Sequence, residues 1–176
     1  MLTLNGRTVE QVKAVPPGNL ILVPIGQRLA LSLRIDHPSP AQKSTFPAIV
    51  DLVGERAGRK GRQPIVTDGL SNDFCLDLRT KAIVRWNSLA ENVHIGMCPR
   101  AGCIAVYGDK EPGKLAISST YATDDRYHHW DLQSGQLATL PSSPTAVWFI
   151  SAWEIGIATS DTSFHKICTF PDDFDA

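Results

Sequence analysis

Residues 28–35 alternate without a break. Leu29, Leu31, Leu33 and Ile35 fall on one side, and Arg28, Ala30, Ser32 and Arg34 on the other. Successive side chains of an extended backbone point to opposite faces, so a period of two sends the four large apolar groups to one surface and is incompatible with a helix. Just upstream, Leu20, Ile21, Leu22 and Val23 form a continuous apolar run closed by Pro24 and Gly26, as in a strand buried on both faces or turning a corner. The two segments predict an antiparallel pair.

Shorter runs of the same kind predict strands at 48–53, 74–78, 82–86, 104–107, 115–119, 128–132, 136–140, 147–152, 154–158 and 164–170. The 12 Pro and 13 Gly are scattered through the chain as punctuation, which favours many short elements over a few long helices. Helical signals are confined to two places. Val12 and Val15 stand three apart in 8–15 before Pro16 and Pro17 would end a helix, and Ser88 with Glu91 has the spacing of a capping box. The expected fold class is therefore all-β. It is expected as a single domain of antiparallel hairpins over 1–170, a β-sandwich or a partial propeller with little helix, followed by an acidic tail at 171–176. Residues 36–45 and 54–63 lack apolar periodicity and are expected to be long, mobile loops.

Charge narrows the function classes. Among 176 residues, 17 Lys and Arg face 18 Asp and Glu, for a formal net charge of −1. Such a balance lacks the single-signed field of a dedicated nucleic-acid or polybasic membrane protein. The apolar runs at 19–25 and 146–152 are far shorter than the roughly 20 residues a spanning helix needs. The opening residues have no secretory-signal pattern, so a cytoplasmic location is expected. Four cysteines (Cys75, Cys98, Cys103, Cys168) are too few for a disulfide scaffold and are expected as thiols.

Two segments echo each other 54 residues apart. Asp77-Leu78-x-Thr80 and Asp131-Leu132-x-Ser134 each follow an apolar run, and each predicts a hairpin whose turn begins at the Asp, with Gly135 supplying a positive φ in the second. The Trp130-Asp131-Leu132-Gln133-Ser134-Gly135 stretch resembles the outer hairpin of a β-propeller blade. Residues 69–87, where a Gly/Asn/Asp turn precedes Phe74-Cys75-Leu76-Asp77-Leu78 and a strand bearing Trp86 returns, resemble the central hairpin of the SMI1/KNR4 (SUKH) family. That family includes bacterial immunity proteins. This sequence departs from the family in placing Asn87 and Ser88 where an acidic residue and His usually follow the Trp, and in lacking a helical opening. The resemblance implies a protein-binding role.

Three constellations could carry chemistry or recognition. Cys98 and Cys103, five positions apart across a Pro/Gly turn, together with His165 and Cys168 make a Cys/Cys/His/Cys set that zinc accepts, although a period of two would put His165 and Cys168 on opposite faces. Asp124, Asp125, His128 and His129 set carboxylates beside imidazoles, the ingredients of acid/base catalysis in a small hydrolase, while consecutive histidines on a strand face opposite ways. Arg56, Arg59, Lys60 and Arg62 form a basic run suited to an acidic protein surface. No second basic cluster or aromatic array accompanies it, so nucleic acid is the weaker choice of partner. In 147–153, Trp148 faces away from Val147, Phe149, Ser151 and Trp153, so Trp148 or Trp153 at the surface would mark a partner site. No phosphate loop, nucleophile elbow, dinucleotide fingerprint or HExxH motif is present. The leading expectation is a non-enzymatic protein-binding module without a cofactor, an immunity or inhibitor protein acting on another protein. The alternatives are the hydrolase around Asp124 to His129 and the zinc site. The sequence leaves oligomeric state open.

Overall fold

A computed structural model describes residues 2–4, 7–25, 28–39, 44–53, 65–86, 90–108, 113–121, 124–160 and 163–170. They form strands β1 (Leu2–Leu4), β2 (Arg7–Gln11), β3 (Asn19–Ile25), β4 (Arg28–Pro38), β5 (Thr45–Val53), β6 (Ile65–Thr67), β7 (Phe74–Lys81) and β8 (Ile83–Trp86). The second half adds β9 (Val93–Ile95), β10 (Ile104–Tyr107), β11 (Lys114–Tyr121), β12 (Asp124–Asp131), β13 (Val147–Ile150), β14 (Trp153–Ser160) and β15 (Ser163–Phe170). The only helical elements among the described residues are single 3₁₀ turns at Val12–Ala14, Ala90–Asn92 and Pro144–Ala146. The all-β expectation holds.

Twelve strands make one sheet in the order β1-β2-β7-β3-β4-β5-β6-β11-β10-β13-β9, with β12 also paired to β11. Three more form a small sheet, β15-β14-β8. Among the described residues, all strand pairings are antiparallel except β6 with β11. β11 is the hub. It pairs with β10 over Lys114 to Ile117 and with β6 at Thr120 and Tyr121, while β12 runs along its other edge. Among the described residues, the large sheet does not close on itself and has no repeated blades, so the propeller option is set aside.

The main core lies between one face of the large sheet and the small sheet. Leu31, Leu33 and Ile35 enter it as the alternation requires, with Leu20, Ile104, Ile117 and Trp130 from the large sheet and Trp153, Ile155 and Phe170 from the small one. Leu29 begins the same row but is exposed. Fully burying a side chain of this size contributes about 1.5–3 kcal/mol, and that gain holds the layers together. The predicted β3–β4 pair forms, with Leu20 opposite Leu33 and Leu22 opposite Leu31. The opposite face of β4 is buried too: Ser32 Oγ donates to Asp51 Oδ1 at 2.9 Å, and Arg34 Nε donates to the Val12 carbonyl at 3.1 Å. Arg34 is thus a structural cation, paired with Asp36 at 2.5 Å.

Several local expectations are corrected. Residues 8–15 are not helical: β2 pairs with β7, Thr8 opposite Asp77 and Gln11 opposite Phe74, and only one 3₁₀ turn precedes the two prolines. Residues 74–84 do not form a hairpin. Asp77 Oδ1 accepts from the Arg79 amide at 2.8 Å, as a turn Asp would, but Arg79 (φ 53°) absorbs the distortion as a bulge and β7 continues to Lys81. The chain then crosses to the other sheet, where Trp86 sits opposite Trp153. Only a bridge from Trp130 to Leu137 remains of the strand expected at 136–140. The loop expected from residue 36 begins later, because β4 runs to Pro38. The segments 54–64 and 171–176 lie outside the described residues.

Candidate functional site

The register of β11 with β12 places Ser118 opposite His129 and Ser119 opposite His128, so the two histidines face opposite sides, as expected. On the core side, Trp130 is fully buried and its indole N–H donates to Ser119 Oγ at 2.9 Å. His128 meets the edge of the Tyr121 ring at 4.6 Å, and the Tyr121 hydroxyl bonds His37 Nε2. Asp124 and Asp125 lie in β12, with side chains outside what is described.

The other side holds the more ordered array. A second apolar cluster there includes Cys103, Ala105, Tyr107, Ala116 and Phe149, with Cys98 packed against it. Cys98 Sγ lies 3.1 Å from the Arg100 carbonyl oxygen and 3.4 Å from Ser118 Oγ. Ser118 Oγ is in turn 2.9 Å from His129 Nδ1, whose ring packs on Phe149 at 5.7 Å. Burial and then the neighbouring His128 push His129 down to about 4. At neutral pH it is therefore uncharged, in hydrogen-bond contact with the Ser118 hydroxyl, and a weak base, ill suited to drawing a proton from a substrate.

The neighbouring Cys103 side chain draws Cys98 below its ordinary thiol value, burial opposes it, and Cys98 Sγ is placed to donate to the Arg100 carbonyl and to Ser118 Oγ. Cys103 moves the opposite way, raised first by the Cys98 side chain and then by burial. The 98–103 loop is firmly seated. Gly102 N–H donates to the Ser118 carbonyl at 2.7 Å, Ser118 N–H to the Cys103 carbonyl at 2.9 Å, and the Trp153 indole to the Gly102 carbonyl at 2.7 Å. Gly102 has φ 92°, and a Cβ there would meet the Phe170 ring at 2.3 Å, so glycine is required.

The structure does not unite the proposed zinc set. No group of three or more His, Cys, Asp or Glu side chains that could hold a metal occurs among the described residues. Cys168 is buried in the main core and His165 is exposed. The pairing of Ile155 with Cys168 and of Gly156 with Lys166 passes over Ile167, so a bulge, rather than simple alternation, separates the two side chains.

Of the two tryptophans expected at a partner surface, only Trp148 is exposed. Trp153 is 2% exposed, stacked on Phe170 at 5.2 Å, and belongs to the core. Trp148 is 53% exposed and lies directly opposite Ile95, which is 63% exposed, on β9, the terminal strand of the large sheet. Met97, just past β9, is 73% exposed. Ile95 and Met97 were not singled out from sequence, because a three-residue strand shows no readable period. Arg56, Arg59, Lys60 and Arg62 lie outside the described residues. The chain matches no family model, no curated protein and no solved structure.

Proposed function

We propose that this chain is a non-enzymatic protein-binding module that occludes another protein, in the manner of an immunity or inhibitor protein. The partner docks on the β9–β13 end of the large sheet. The exposed cross-strand pair Trp148–Ile95 carries this reading. Large apolar side chains at a sheet edge that no described strand covers offer both anchor groups and backbone hydrogen-bonding groups to an incoming chain. Trp148 shares its face of β13 with the core residue Ile150, so the partner would extend the core past the point where this chain stops covering it. A cytoplasmic setting suits four cysteines that are all free thiols.

The test is capture from a lysate of the source cells, using the immobilised full chain and the double variant Trp148→Ser/Ile95→Ser. Both side chains are exposed, so the variant should unfold at an unchanged denaturant midpoint. The wild-type chain should retain one stoichiometric protein. The variant should retain it roughly 30-fold less well, the loss expected from a hot spot of about 2 kcal/mol. Equal retention by both baits, or no retained protein, would refute the proposal.

A further inference from the structure

The register of β9 with β13 decides which of its backbone groups are engaged. Gly96 N–H donates to the Val147 carbonyl at 3.0 Å and Ser151 N–H to the Asn92 carbonyl at 2.9 Å, with His94 opposite Phe149 between them. In an antiparallel ladder such positions alternate with those whose N–H and C=O point the other way. Val93 and Ile95 are those others, so their backbone groups point away from β13, where no described strand takes them up. His94 Nε2 lies 3.2 Å from Ser151 Oγ and ties β9 to the chain beyond β13, so this edge is in place before a partner arrives. The edge is also uncharged. From Asn92 to Pro99 there is no Lys, Arg, Asp or Glu, whereas β8 and β15, which end the small sheet, carry Arg85 and Lys166, and β12, paired with β11 alone among the described strands, carries Asp124, Asp125, Arg126 and Asp131. Charge is an ordinary means of keeping a free edge from pairing with another chain, and β9 lacks it. The first charge met on leaving β9 towards the N-terminus is Glu91, exposed in the 3₁₀ turn that precedes the strand.

We propose that the partner engages this site by adding an extended segment of its own to β9, uncharged and apolar where it passes Ile95 and Trp148 and carrying a basic residue where it passes Glu91. This inference rests on the protein-binding reading above and specifies how the partner is held. The Ile95 N–H donates to the added strand and the Ile95 carbonyl accepts from it, and the same bonds at Val93 fix the register. Alternate side chains of the added strand lie on the face that Ile95 shares with Trp148. A charge there would lose water without gaining a counter-ion, so those positions are apolar. A Lys or Arg beyond them meets the Glu91 carboxylate.

The protein that the wild-type bait retains, eluted and purified, is titrated against full-length Ile95→Ala and Ile95→Pro. Both variants lose the isoleucine side chain, and only proline also removes the N–H that faces the free edge. The bonds to β13 run through residues 92, 94 and 96 and are untouched by either change. Ile95→Pro should bind about tenfold more weakly than Ile95→Ala, the effect of one backbone hydrogen bond lost with its acceptor left unpaired. Glu91→Lys should weaken binding about threefold at low salt. In the wild-type complex the Ile95 amide itself should exchange slowly, whereas in the free chain it exchanges fast beside the protected Gly96 amide. That measurement decides the matter even if the proline variant folds poorly. Equal binding by the alanine and proline variants, a fast Ile95 amide in the complex, or undiminished binding by Glu91→Lys would each overturn the proposal. A free chain that sediments as a dimer broken by Ile95→Pro would assign the edge to a second copy and overturn it too. A wild-type bait that retains nothing refutes the protein-binding reading itself, an outcome separate from these.

Discussion

Replacing Gly135 with alanine should lower the unfolding free energy by about 2–4 kcal/mol, the sum of left-handed strain and a backbone collision. Gly135 has φ 65° and ends the turn that Asp131 organises, accepting from the Gln133 and Ser134 amides at 3.1 and 2.7 Å. A Cβ at this position would lie 2.4 Å from the Gly18 nitrogen and 2.6 Å from the Arg34 carbonyl oxygen. Both are backbone atoms and cannot swing aside. They are also the seam between the two halves of the large sheet: Gly18 N–H donates to the Arg34 carbonyl at 2.7 Å, and Asp36 N–H to the Gly135 carbonyl at 2.9 Å. Gly69→Ala is the control. Gly69 has φ 78° with nothing near its missing Cβ, so only the conformational cost of about 1 kcal/mol applies. Urea denaturation of the two variants should separate them clearly. Equal midpoints would show that the Asp131 turn does not dock on β3 and β4.

Acid should unfold the protein through His129. Its value of about 4 in the folded chain lies below the ordinary 6.5, so between those limits the unfolded chain binds the extra proton. The stability contributed by an uncharged His129 is complete above about pH 6.5 and is lost as pH falls towards 4, up to roughly 3 kcal/mol in all. His129→Asn keeps an acceptor within reach of Ser118 Oγ and cannot titrate. Its stability should fall less steeply over the same range, and subtracting the two curves removes the carboxylates common to both. Parallel curves from pH 7 to pH 4 would mean that the imidazole is solvated and the Ser118–His129 bond is not formed.

The legible parts of this fold were those in which one strand carries its own signal. Leu31, Leu33 and Ile35 announce the buried face of β4, and the adjacent apolar run announces its partner. Gly135 announces a turn. What stayed hidden depends on contacts between distant residues. Asp77 has the same turn chemistry as Asp131, and both accept the amide two positions on. Yet flanking β2 and β3 hold Asp77 inside a continuous strand, and nothing local distinguishes the two outcomes. β2 could not be separated from a helix because its β7 partner lies more than sixty residues away. The same holds for the thiol site. The Cys98 to Cys103 spacing was visible, but its connection to His129 runs through Ser118, which carries no motif and is placed only by the β10–β11–β12 register. Trp148 was legible as facing away from Val147 and Phe149; Trp153 was not legible as core, since its burial depends on Phe170 and the 98–103 loop.

Amide hydrogen exchange of the full chain, free and bound to the protein it captures, tests the central functional claim most directly. Exchange should slow in the complex at 93–97 and 147–149, the exposed end of the large sheet, and change little in the small sheet at 153–158 and 164–170. Unchanged exchange at 93–97 with protection centred on β8, β14 and β15 would place the partner elsewhere and contradict the account.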